Sequence, residues 1–525
     1  MGAAVNDACA NVSWLLGREA LPQVADPDRP ALRWTGHTRT YAELRQRALS
    51  LAHALRAQGL QPGDRVAVLV HNRGETFELY FACAFAGLTL VPINFRLVPQ
   101  EVSHVLTDSG ARVLFYDERL EDVVSGALAT TAEKLSSIRL DAMTPGAAYD
   151  EMATGPQLVL DEIGHTDVHL VLYTSGTTGK PKGVMLSHRA IMWFALQQAA
   201  SYPGMDQSCV TLITGPVYNT AGINESSIPT FLVGGTVAIL ESGGWTARKL
   251  ADVIDAWSVT CGTIYPSMMG PLLEADRESP IELASFRFTA TGGENCPHDL
   301  LARFRRRWSH ISVAIGYGLT EGGIATFIRD DEMDAKPHSV GRAFPGSAFK
   351  VVDETGARVP TGTVGEVWMA SPSQTMGVWG DLDAQHSVLR DGWVVTGDLG
   401  RVDEDGYLFI AGRSKDMIIS KGQNIYSAEV ESALSECPEL LESSVIGVPD
   451  EEYGEAVCAV VVVRPGVDFG PDDLTSFIRS RLASYKKPRY VLFLDTLPRN
   501  PSQKVDKVLL RAQVTAGQMT PSPLA

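Results

Sequence analysis

The sequence predicts an α/β protein with a large N-terminal domain followed by a small α+β domain. The chain has 525 residues, far more than one compact core usually holds, so at least two domains are expected. Over the first two-thirds, apolar runs typical of strands alternate with helical patterns, which favours layers built on largely parallel sheet. After Val340, short strands separated by Gly and Pro turns replace this alternation and predict a small β-rich subdomain.

The N-terminal alternation is clearest in the first 120 residues. Thr40 and Glu43, at capping-box spacing, predict the start of a helix that ends at Gly59. The segment from about Ser125 to Gly164 is less periodic and is predicted to be a surface excursion. Three apolar runs are predicted strands: DRVAVLV (Asp64–Val70), TLVPIN (Thr89–Asn94) and RVLFYD (Arg112–Asp117).

A second compact α/β pattern begins beyond Arg413, and its roughly 110 residues are enough for a separate domain. The tail after Arg511 is predicted to be disordered. The elements predicted between these points are the strand Asp416–Gly422, the helix Ser427–Cys437, the strands Ser443–Pro449 and Ala456–Val463, and the helix Asp472–Tyr485.

Composition argues against several classes of protein. A formal net charge of −17 disfavours nucleic acid or an anionic membrane as the main partner. No apolar run approaches the roughly 20 residues of a membrane span, and the first residues lack the pattern of a secretory signal. The seven cysteines form no CxxC pair, so neither a disulfide framework nor a zinc site is expected. We therefore expect a cytoplasmic protein, monomeric or homodimeric, without a nucleic-acid partner.

The stretch YTSGTTGKPKG (Tyr173–Gly183) is dense in glycines, hydroxyls and lysines. It is not a P-loop, because only two residues separate Gly176 from Gly179, and Pro181 stands where a P-loop needs Ser or Thr. The run GVMLSH that follows predicts a strand, so the stretch is expected to form a strand–loop–strand hairpin. Backbone N–H groups and hydroxyls in such a loop can surround phosphate oxygens. On these residues alone, a nucleotide site and a plain surface turn both remain open.

Other stretches point to the same chemistry. TGGEN (Thr291–Asn295) and GYGLTEGG (Gly316–Gly323) each follow an apolar run, and ligands of open α/β sheets bind at the carboxyl ends of strands. TGDLG (Thr396–Gly400) offers a turn carboxylate, and GRSKDMIISKGQN (Gly412–Asn424) a basic, hinge-like segment. LPRNPSQKVDK adds a lysine near the C-terminal end. In this order, these stretches resemble the adenylate-forming superfamily, which includes acyl-CoA synthetases, luciferases and adenylation domains, over nearly the whole chain.

The resemblance implies a fold and a reaction. The expected fold has an N-terminal domain (1–412) of two α/β sheet subdomains and a small β-barrel-like subdomain (340–412). A hinge (413–415), a small mobile C-terminal domain (416–512) and a tail (513–525) follow. In the expected reaction, ATP with Mg²⁺ activates a carboxylic acid as an acyl-adenylate and releases pyrophosphate. The acyl group then passes to a thiol, with CoA as the leading candidate and an acyl carrier protein as the nearest alternative.

The resemblance also implies roles in the nucleotide site. Glu321 would bind magnesium together with Thr178, and Thr320 would hydrogen-bond the α-phosphate. Tyr317 would stack on adenine, and Asp398 would accept the ribose hydroxyls. The full nucleotide-binding set implied is Thr174, Ser175, Gly176, Thr177, Thr178, Gly179, Lys180, Gly293, Glu294, Tyr317, Gly318, Asp398 and Arg413.

Three residues would act in catalysis: Lys504, Glu321 and Thr320. Lys504 would reach both the carboxylate and the α-phosphate, and so stabilise the charge that builds up in the transition state. Lys415 would be the hinge about which the C-terminal domain turns, withdrawing Lys504 after the first half-reaction. Two departures from the family pattern, Lys421 and Gln503, replace glycines that are common in this turning machinery.

The acyl substrate is expected among residues Tyr218, Asn219, Gly222, Tyr265 and Gly292. Many family members carry His where Asn219 stands, and both ordinary drift and an unusual or polar acyl substrate would account for the change. Three other functions remain open: loading of a carrier protein, adenylation with a non-thiol acceptor or another oxyacid, and non-catalytic nucleotide binding. The presence of Lys504 argues against the last, because a binding module needs no mobile lysine.

Overall fold

The structure, a computed structural model, describes residues 11–16, 26–131, 135–140, 147–159, 167–175, 181–243, 245–294, 296–381, 387–421, 423–450, 452–479, 481–501 and 504–524. Its architecture is α/β, with a large N-terminal part and a smaller C-terminal part, as the sequence predicts. Among the described helices, none combines the length and the apolar character needed to cross a lipid bilayer.

Two large sheets with mostly parallel neighbours form the N-terminal part. All three strands predicted before residue 120 are present and lie side by side in the first sheet. Seven described strands form that sheet, in the spatial order Gly377–Val378, Pro181–Ser187, Val168–Ser175, Thr89–Pro92, Arg65–Leu69, Ala111–Asp117 and Ser136–Leu140. Nine described strands form the second, in the order Arg342–Ala343, Gly323–Arg329, Ser312–Leu319, Phe288–Gly292, Cys261–Thr263, Val210–Ile213, Thr236–Ile239, Pro30–Trp34 and His37–Thr40.

Helices cover both large sheets and bury their apolar faces. The most extensive core contains residues of the described helix Glu75–Ala86, all of whose side chains are buried, so this helix lies in the interior of the N-terminal part. The described α-helices of the N-terminal part are Tyr41–Ala57, Glu75–Ala86, Pro99–Ser109, Glu121–Leu128, Ala148–Thr154, His188–Ser201, Thr220–Ile223, Ser227–Val233, Ala247–Trp257, Pro266–Glu278, His298–Arg307 and Asp330–Met333, and short 3-10 helices occupy Val12–Leu16 and Glu118–Leu120.

The helix Tyr41–Ala57 begins as its sequence predicts. The Thr40 hydroxyl accepts a hydrogen bond from the Glu43 backbone N–H at 3.1 Å. The Glu43 carboxylate in turn accepts one from the Thr40 N–H at 2.8 Å. This reciprocal capping box satisfies two donors that the first turn would otherwise leave unpaired.

The predicted surface excursion between Ser125 and Gly164 is wrong where the structure describes it. The strand Ser136–Leu140 extends the first sheet by pairing in parallel with Ala111–Asp117. The helix Ala148–Thr154 packs against Tyr41–Ala57, and its Tyr149 hydroxyl donates to Glu78 Oε2 at 2.8 Å. Sequence periodicity missed both elements because each is short.

A separate β-rich sheet follows, as the short strands and the Gly and Pro turns after Val340 predict. Its described strands are Ala348–Val352, Gly365–Ala370, Trp393–Val402 and Leu389–Arg390, with Leu408–Arg413 pairing Trp393–Val402. A single 3-10 turn, Ser414–Asp416, leads from this sheet into the C-terminal part.

The C-terminal part is a mixed sheet covered by short helices. Its described strands are Gln423–Ile425, Ile418–Ser420, Gly454–Val463, Tyr490–Phe493 and Ser522–Pro523, with Leu440–Asp450 pairing Gly454–Val463. The described helices are Ser427–Ser435, Pro471–Ile478 and Lys507–Thr515, with a 3-10 turn at Ser484–Lys486. The helix predicted to reach Tyr485 therefore ends at Ile478.

The disorder predicted after Arg511 is wrong for the described residues. The helix Lys507–Thr515 continues through this point, and Ser522–Pro523 pairs antiparallel with the edge strand Tyr490–Phe493. Leu524 donates its N–H to the Arg489 carbonyl at 2.8 Å and packs against the C-terminal core. The composition of the tail gave no sign that Ser522–Pro523 is ordered, because its order comes from pairing with the edge strand.

The capping box yields a stability prediction. The Thr40→Ala variant loses the hydroxyl acceptor and is expected to lower the free energy of unfolding of the N-terminal part by about 1 kcal/mol. Thr40→Ser keeps an acceptor, so its free energy of unfolding should remain within a few tenths of a kcal/mol of that of the wild type. Urea unfolding followed by circular dichroism measures both, and equal stabilities of the Ala and Ser variants would contradict the role of the cap.

Candidate active site

The glycine-rich stretch forms the predicted hairpin. The strands Val168–Ser175 and Pro181–Ser187 pair antiparallel, with Thr174 opposite Lys182. The Tyr173 hydroxyl donates to Asp108 Oδ2 at 2.6 Å and fastens the base of the hairpin to the neighbouring helix. The loop between the strands carries the predicted cradle residues Gly176, Thr177, Thr178, Gly179 and Lys180, which lie outside the described residues.

Two of the predicted loops emerge side by side from the second large sheet. The strands Phe288–Gly292 and Ser312–Leu319 are parallel neighbours, with Gly292 opposite Gly316. A Cβ atom on Gly292, whose φ is +155°, would lie 2.2 Å from the Gly316 carbonyl oxygen, so only glycine fits this crossing. The loop after Gly292 and the end of the second strand therefore face one crevice, as their positions after apolar runs predict.

The loop after Gly292 is fixed by its acidic residue. Glu294 accepts a hydrogen bond from the Ser267 N–H at 2.7 Å. Ser267 lies in the first turn of the helix Pro266–Glu278, directly after Tyr265. The exposed Gly293 and Glu294 thus stand beside one of the predicted acyl-site tyrosines.

Tyr317, Asp398 and Arg413 form a hydrogen-bonded chain across two sheets. The Tyr317 hydroxyl donates to Asp398 Oδ2 at 2.7 Å, and Arg413 Nε lies 3.0 Å from Asp398 Oδ1. Asp398 and Arg413 face each other in neighbouring strands of the β-rich sheet. Burial, and next the Asp398 charge, hold the pKa of Tyr317 well above its usual value, so its hydroxyl remains a donor.

Thr320 and Glu321 lie in the turn between Ser312–Leu319 and Gly323–Arg329, next to the exposed Gly318. Burial raises the pKa of the Glu321 carboxyl, although Arg413 and Lys504 act in the opposite direction. The described residues contain no cluster of three or more His, Cys, Asp or Glu side chains that could cage a metal. A single enclosed carboxylate suits Mg²⁺ held mainly by substrate phosphates, because that ion commonly binds through one or two carboxylates plus phosphate oxygens.

Lys504 lies against this group of charges. The Asn500 N–H donates to the Lys504 carbonyl at 2.9 Å, and the Lys504 N–H donates to Asn500 Oδ1 at 3.1 Å. Asn94 of the N-terminal part donates to the Pro501 carbonyl at 3.2 Å. Lys504 keeps solvent access, yet desolvation by the surrounding protein and then the positive charge of Arg413 lower its pKa. The carboxylates of Asp398, Glu294 and Glu321 raise it. Residues far apart in the chain therefore converge at this point.

The predicted acyl-site residues come from three segments of the N-terminal part: Tyr218–Gly222, Tyr265 and the strand end at Gly292. Tyr218 is buried, and its hydroxyl accepts a hydrogen bond from Arg96 Nη1 at 2.8 Å. A Cβ atom on Gly222 would lie 2.0 Å from the Pro216 carbonyl oxygen, which leaves room only for glycine. Tyr265 stands at the start of the next helix, where burial raises its pKa.

Asn219 is the N-cap of a short helix, a role that was not predicted from the sequence. Its Oδ1 accepts the Gly222 N–H at 2.9 Å and caps the short helix Thr220–Ile223. Asparagine is among the strongest N-cap residues, which gives a local reason for its presence where many relatives carry His. Lys421 has φ of +47°, the left-handed conformation that favours the glycine it replaces, while Gln503 lies outside the described residues.

The hinge position is short and stiffened. Lys415 lies exposed in the 3-10 turn Ser414–Asp416, whose Asp416 Oδ1 accepts from Arg511 Nη2 at 3.0 Å.

Two residues beside the predicted acyl site were not predicted from the sequence. They are Arg96, which donates a hydrogen bond to Tyr218, and Glu225, whose charge acts on Tyr265. Neither lies in a recognisable motif. For Glu225, the available sequence signal was its position three residues after Gly222, a predicted acyl-site residue.

Comparison with known proteins agrees with this geometry. The family model described as AMP-binding enzyme matches residues 22–379, and that of the AMP-binding enzyme C-terminal domain matches residues 429–504. The fatty acid–[acyl-carrier-protein] ligase ScoC of Streptomyces coeruleorubidus is 36% identical over 495 residues, which cover 93% of each protein. A feruloyl-CoA synthase of an Amycolatopsis species is 37% identical, covering 94% of this chain and 97% of its own length.

A solved structure shows the same fold. ATP-bound MatB from Rhodopseudomonas palustris superposes with a TM-score of 0.87 at 31% identity, covering 96% of this chain and 98% of MatB. The chain belongs to the AMP-binding enzyme family, the adenylate-forming class that its motifs resemble. It is an AMP-forming ligase.

The Tyr317–Asp398 hydrogen bond can be tested separately from the tyrosine ring. Tyr317→Phe keeps the ring, loses a hydrogen bond to a charged group, and is expected to weaken ATP binding by about tenfold in calorimetric titration. Tyr317→Ala should weaken it further. Tyr407→Phe is the matched control, because the Tyr407 hydroxyl donates to Glu332 Oε1 at 2.9 Å outside the site. Equal affinity losses for Tyr317→Phe and Tyr407→Phe would contradict a local role.

Proposed function

We propose that this protein activates a carboxylic acid with ATP and transfers the acyl group to a thiol, with CoA as the leading acceptor. The observation that carries the proposal is that Lys504 lies within electrostatic reach of Glu294 and Glu321, which follow two neighbouring parallel strands, and of Asp398 in the β-rich sheet. In this crevice the cations Lys504 and Arg413 would neutralise phosphate charge, while the carboxylates would serve as a ligand for Mg²⁺ and as acceptors for ribose hydroxyls. Family membership identifies the source of that phosphate as ATP.

In the first half-reaction, a carboxylate oxygen of the acid attacks the α-phosphorus of ATP. The bond between that phosphorus and the oxygen bridging to the β-phosphate breaks, and pyrophosphate leaves. Both reactants are anions, so the protein must lower their repulsion. Lys504 would contact the carboxylate and an α-phosphate oxygen together, and Thr320 would donate to the same phosphate.

The nucleoside would be held by the hydrogen-bonded chain. Asp398 would accept both ribose hydroxyls, because each carboxylate oxygen keeps acceptor capacity beyond its present contact with Tyr317 or Arg413. The Tyr317 ring would stack on adenine, with Gly293 and Glu294 at its edge. The hairpin loop with Thr174 and Ser175 at its start would enclose the pyrophosphate side.

Magnesium would bind Glu321 and, within the hairpin loop, Thr178. Burial raises the pKa of Glu321, and a divalent cation bound there would lower that pKa. The ion would supply charge neutralisation to the phosphates. Glu321 itself would fix the ion's position, because the Glu321 carbonyl accepts the Thr375 N–H at 2.7 Å and holds the turn in place.

In the second half-reaction, a thiolate would attack the acyl carbon and AMP would leave. The C-terminal part would first turn about Lys415, withdraw Lys504 and present the hairpin Ile418–Ser420 and Gln423–Ile425. Among the described contacts that such a turn would break are the Asn94–Pro501 hydrogen bond and an ion pair of 3.2 Å between Arg464 and Glu274. A partly exposed ion pair contributes little stability, so breaking this one would cost little.

A carrier-protein thiol is the second candidate acceptor. The relative that favours it is the Streptomyces ligase named for an acyl carrier protein, which matches this chain as well as the feruloyl-CoA synthase does. The two acceptors share the pantetheine thiol and differ in what lies beyond it.

The reaction is tested by ATP–pyrophosphate exchange over a panel of carboxylic acids, followed by addition of CoA or a phosphopantetheinylated carrier protein. We expect exchange with at least one acid, and AMP release on addition of one of the two thiols. Absence of exchange with every acid would contradict acid activation. Exchange without turnover on either thiol would contradict the thiol acceptor.

Lys504→Ala should damage the first half-reaction selectively. We expect exchange to fall by about 100-fold or more, the scale of removing one stabilising group from a transition state. Thioester formation from chemically prepared acyl-adenylate should fall by less than tenfold, because Lys504 would be withdrawn at that stage. Lys487→Ala, also in the C-terminal part, is the control and should leave both rates unchanged. Equal losses in both half-reactions would show that the lysine has no step-specific role.

A further inference from the structure

Glu225 is an acidic side chain at an unexpected place, the interior wall beside the acyl-site residues. It follows the short helix Thr220–Ile223 that Asn219 caps. Its sequence neighbours Asn224, Ser226 and Ser227 are buried, whereas Glu225 keeps partial access to solvent. Glu225 therefore presents part of its side chain to accessible space among enclosed neighbours. Acidic side chains that are largely enclosed usually have a partner.

The partner that Glu225 has in this structure is weak. The Tyr202 hydroxyl donates to Glu225 Oε1 at 3.5 Å, the long end of the hydrogen-bond range. Burial raises the pKa of Glu225 to about 7, so the surrounding protein does not compensate its charge. A buried carboxylate with one long hydrogen bond retains acceptor capacity for a further donor.

Other polar groups point to the same space. Burial, and next the charge of Glu225 and then of Glu294, raise the pKa of Tyr265. Glu294 also acts on Lys504, so Tyr265 connects the Glu225 end of the wall with the catalytic end. Thr263 is 7% exposed as a residue, and its hydroxyl is buried and has no hydrogen-bond partner among the described residues.

The sheet places Thr263 on the side of Tyr202. Side chains alternate along a strand, so Thr263 shares a face with Cys261. Cys261 packs in one cluster with Tyr202 and Phe288. The face that leads from this cluster to the carboxyl ends of the strands therefore carries a hydroxyl that is unpaired among the described residues. The same cluster contains Tyr202, whose hydroxyl donates to Glu225.

We propose that Glu225 selects carboxylic acids that carry a hydrogen-bond donor, a hydroxyl or an amino group, at the end remote from the reacting carboxylate. This inference rests on the proposed acid activation and names its substrate class. The donor would bond the Glu225 carboxylate, and Thr263 would supply a second polar contact. A plain hydrocarbon tail would leave both groups unpaired on displacing water, which disfavours unsubstituted fatty acids.

The test is ATP–pyrophosphate exchange with matched acids. Each set keeps one skeleton (benzoate, phenylacetate, cinnamate or hexanoate) and carries a hydroxyl, an amino or a methyl group at its far end. For the skeleton that is activated best, we expect kcat/KM for the hydroxyl or amino member to exceed that of the methyl member by about tenfold or more. A wild-type preference for the methyl member, or equal values, would overturn the inference while leaving acid activation intact.

Two variants assign the preference to the residue. Glu225→Gln keeps an acceptor and the Tyr202 contact, and should keep most of the preference. Glu225→Leu removes the acceptor and should abolish or reverse it, while ATP affinity stays within twofold of that of the wild type. Glu354→Leu, at an exposed turn of the β-rich sheet, is the control and should keep the full preference. A Glu225→Leu protein that loses rate equally on all acids would overturn the assignment, and failure of every acid would overturn the proposed function itself.

Discussion

Asp398 accepts a hydrogen bond from Tyr317 and an ion pair from Arg413, and these three residues come from different parts of the chain. Tyr317 belongs to the second large sheet, whereas Asp398 and Arg413 face each other in the β-rich sheet, where Arg413 is the last residue before the hinge turn. The arrangement fixes where the β-rich sheet sits over the ends of the parallel strands. Because Arg413 is about half exposed, with 49% of its side chain accessible, the pair contributes more to position than to stability.

Under the proposed turn of the C-terminal part, this constraint would make Lys504 effective in only one arrangement of the chain. The hinge turn begins at Ser414, one residue beyond the group that holds the ribose side of the site. A rotation there moves the whole C-terminal sheet while Asp398 and Tyr317 stay in place. One site can thus use a lysine for the first half-reaction and a different surface of the same domain for the second, without rebuilding the nucleotide pocket.

Much of the site was readable from short motifs, because their residues lie where strands end. The neighbouring positions of Thr291–Asn295 and Gly316–Gly323 follow from two apolar runs and the rule for ligands in open sheets. Glu225 was not predicted, since its meaning depends on Tyr202 and Tyr265, which are distant in sequence. The strand Ser522–Pro523 was also missed, because two residues have no periodicity and its order comes from the edge strand it joins.

The central claim is that an acid oxygen attacks the α-phosphorus beside Lys504. It is tested most directly with an acid labelled with ¹⁸O in both carboxylate oxygens, using mass spectrometry of the AMP formed in a complete turnover. Attack by the carboxylate predicts AMP that carries one ¹⁸O atom, since the oxygen that joined the phosphorus leaves with it. Unlabelled AMP, with ¹⁸O retained in the acyl product or found in inorganic phosphate or pyrophosphate, would contradict the account.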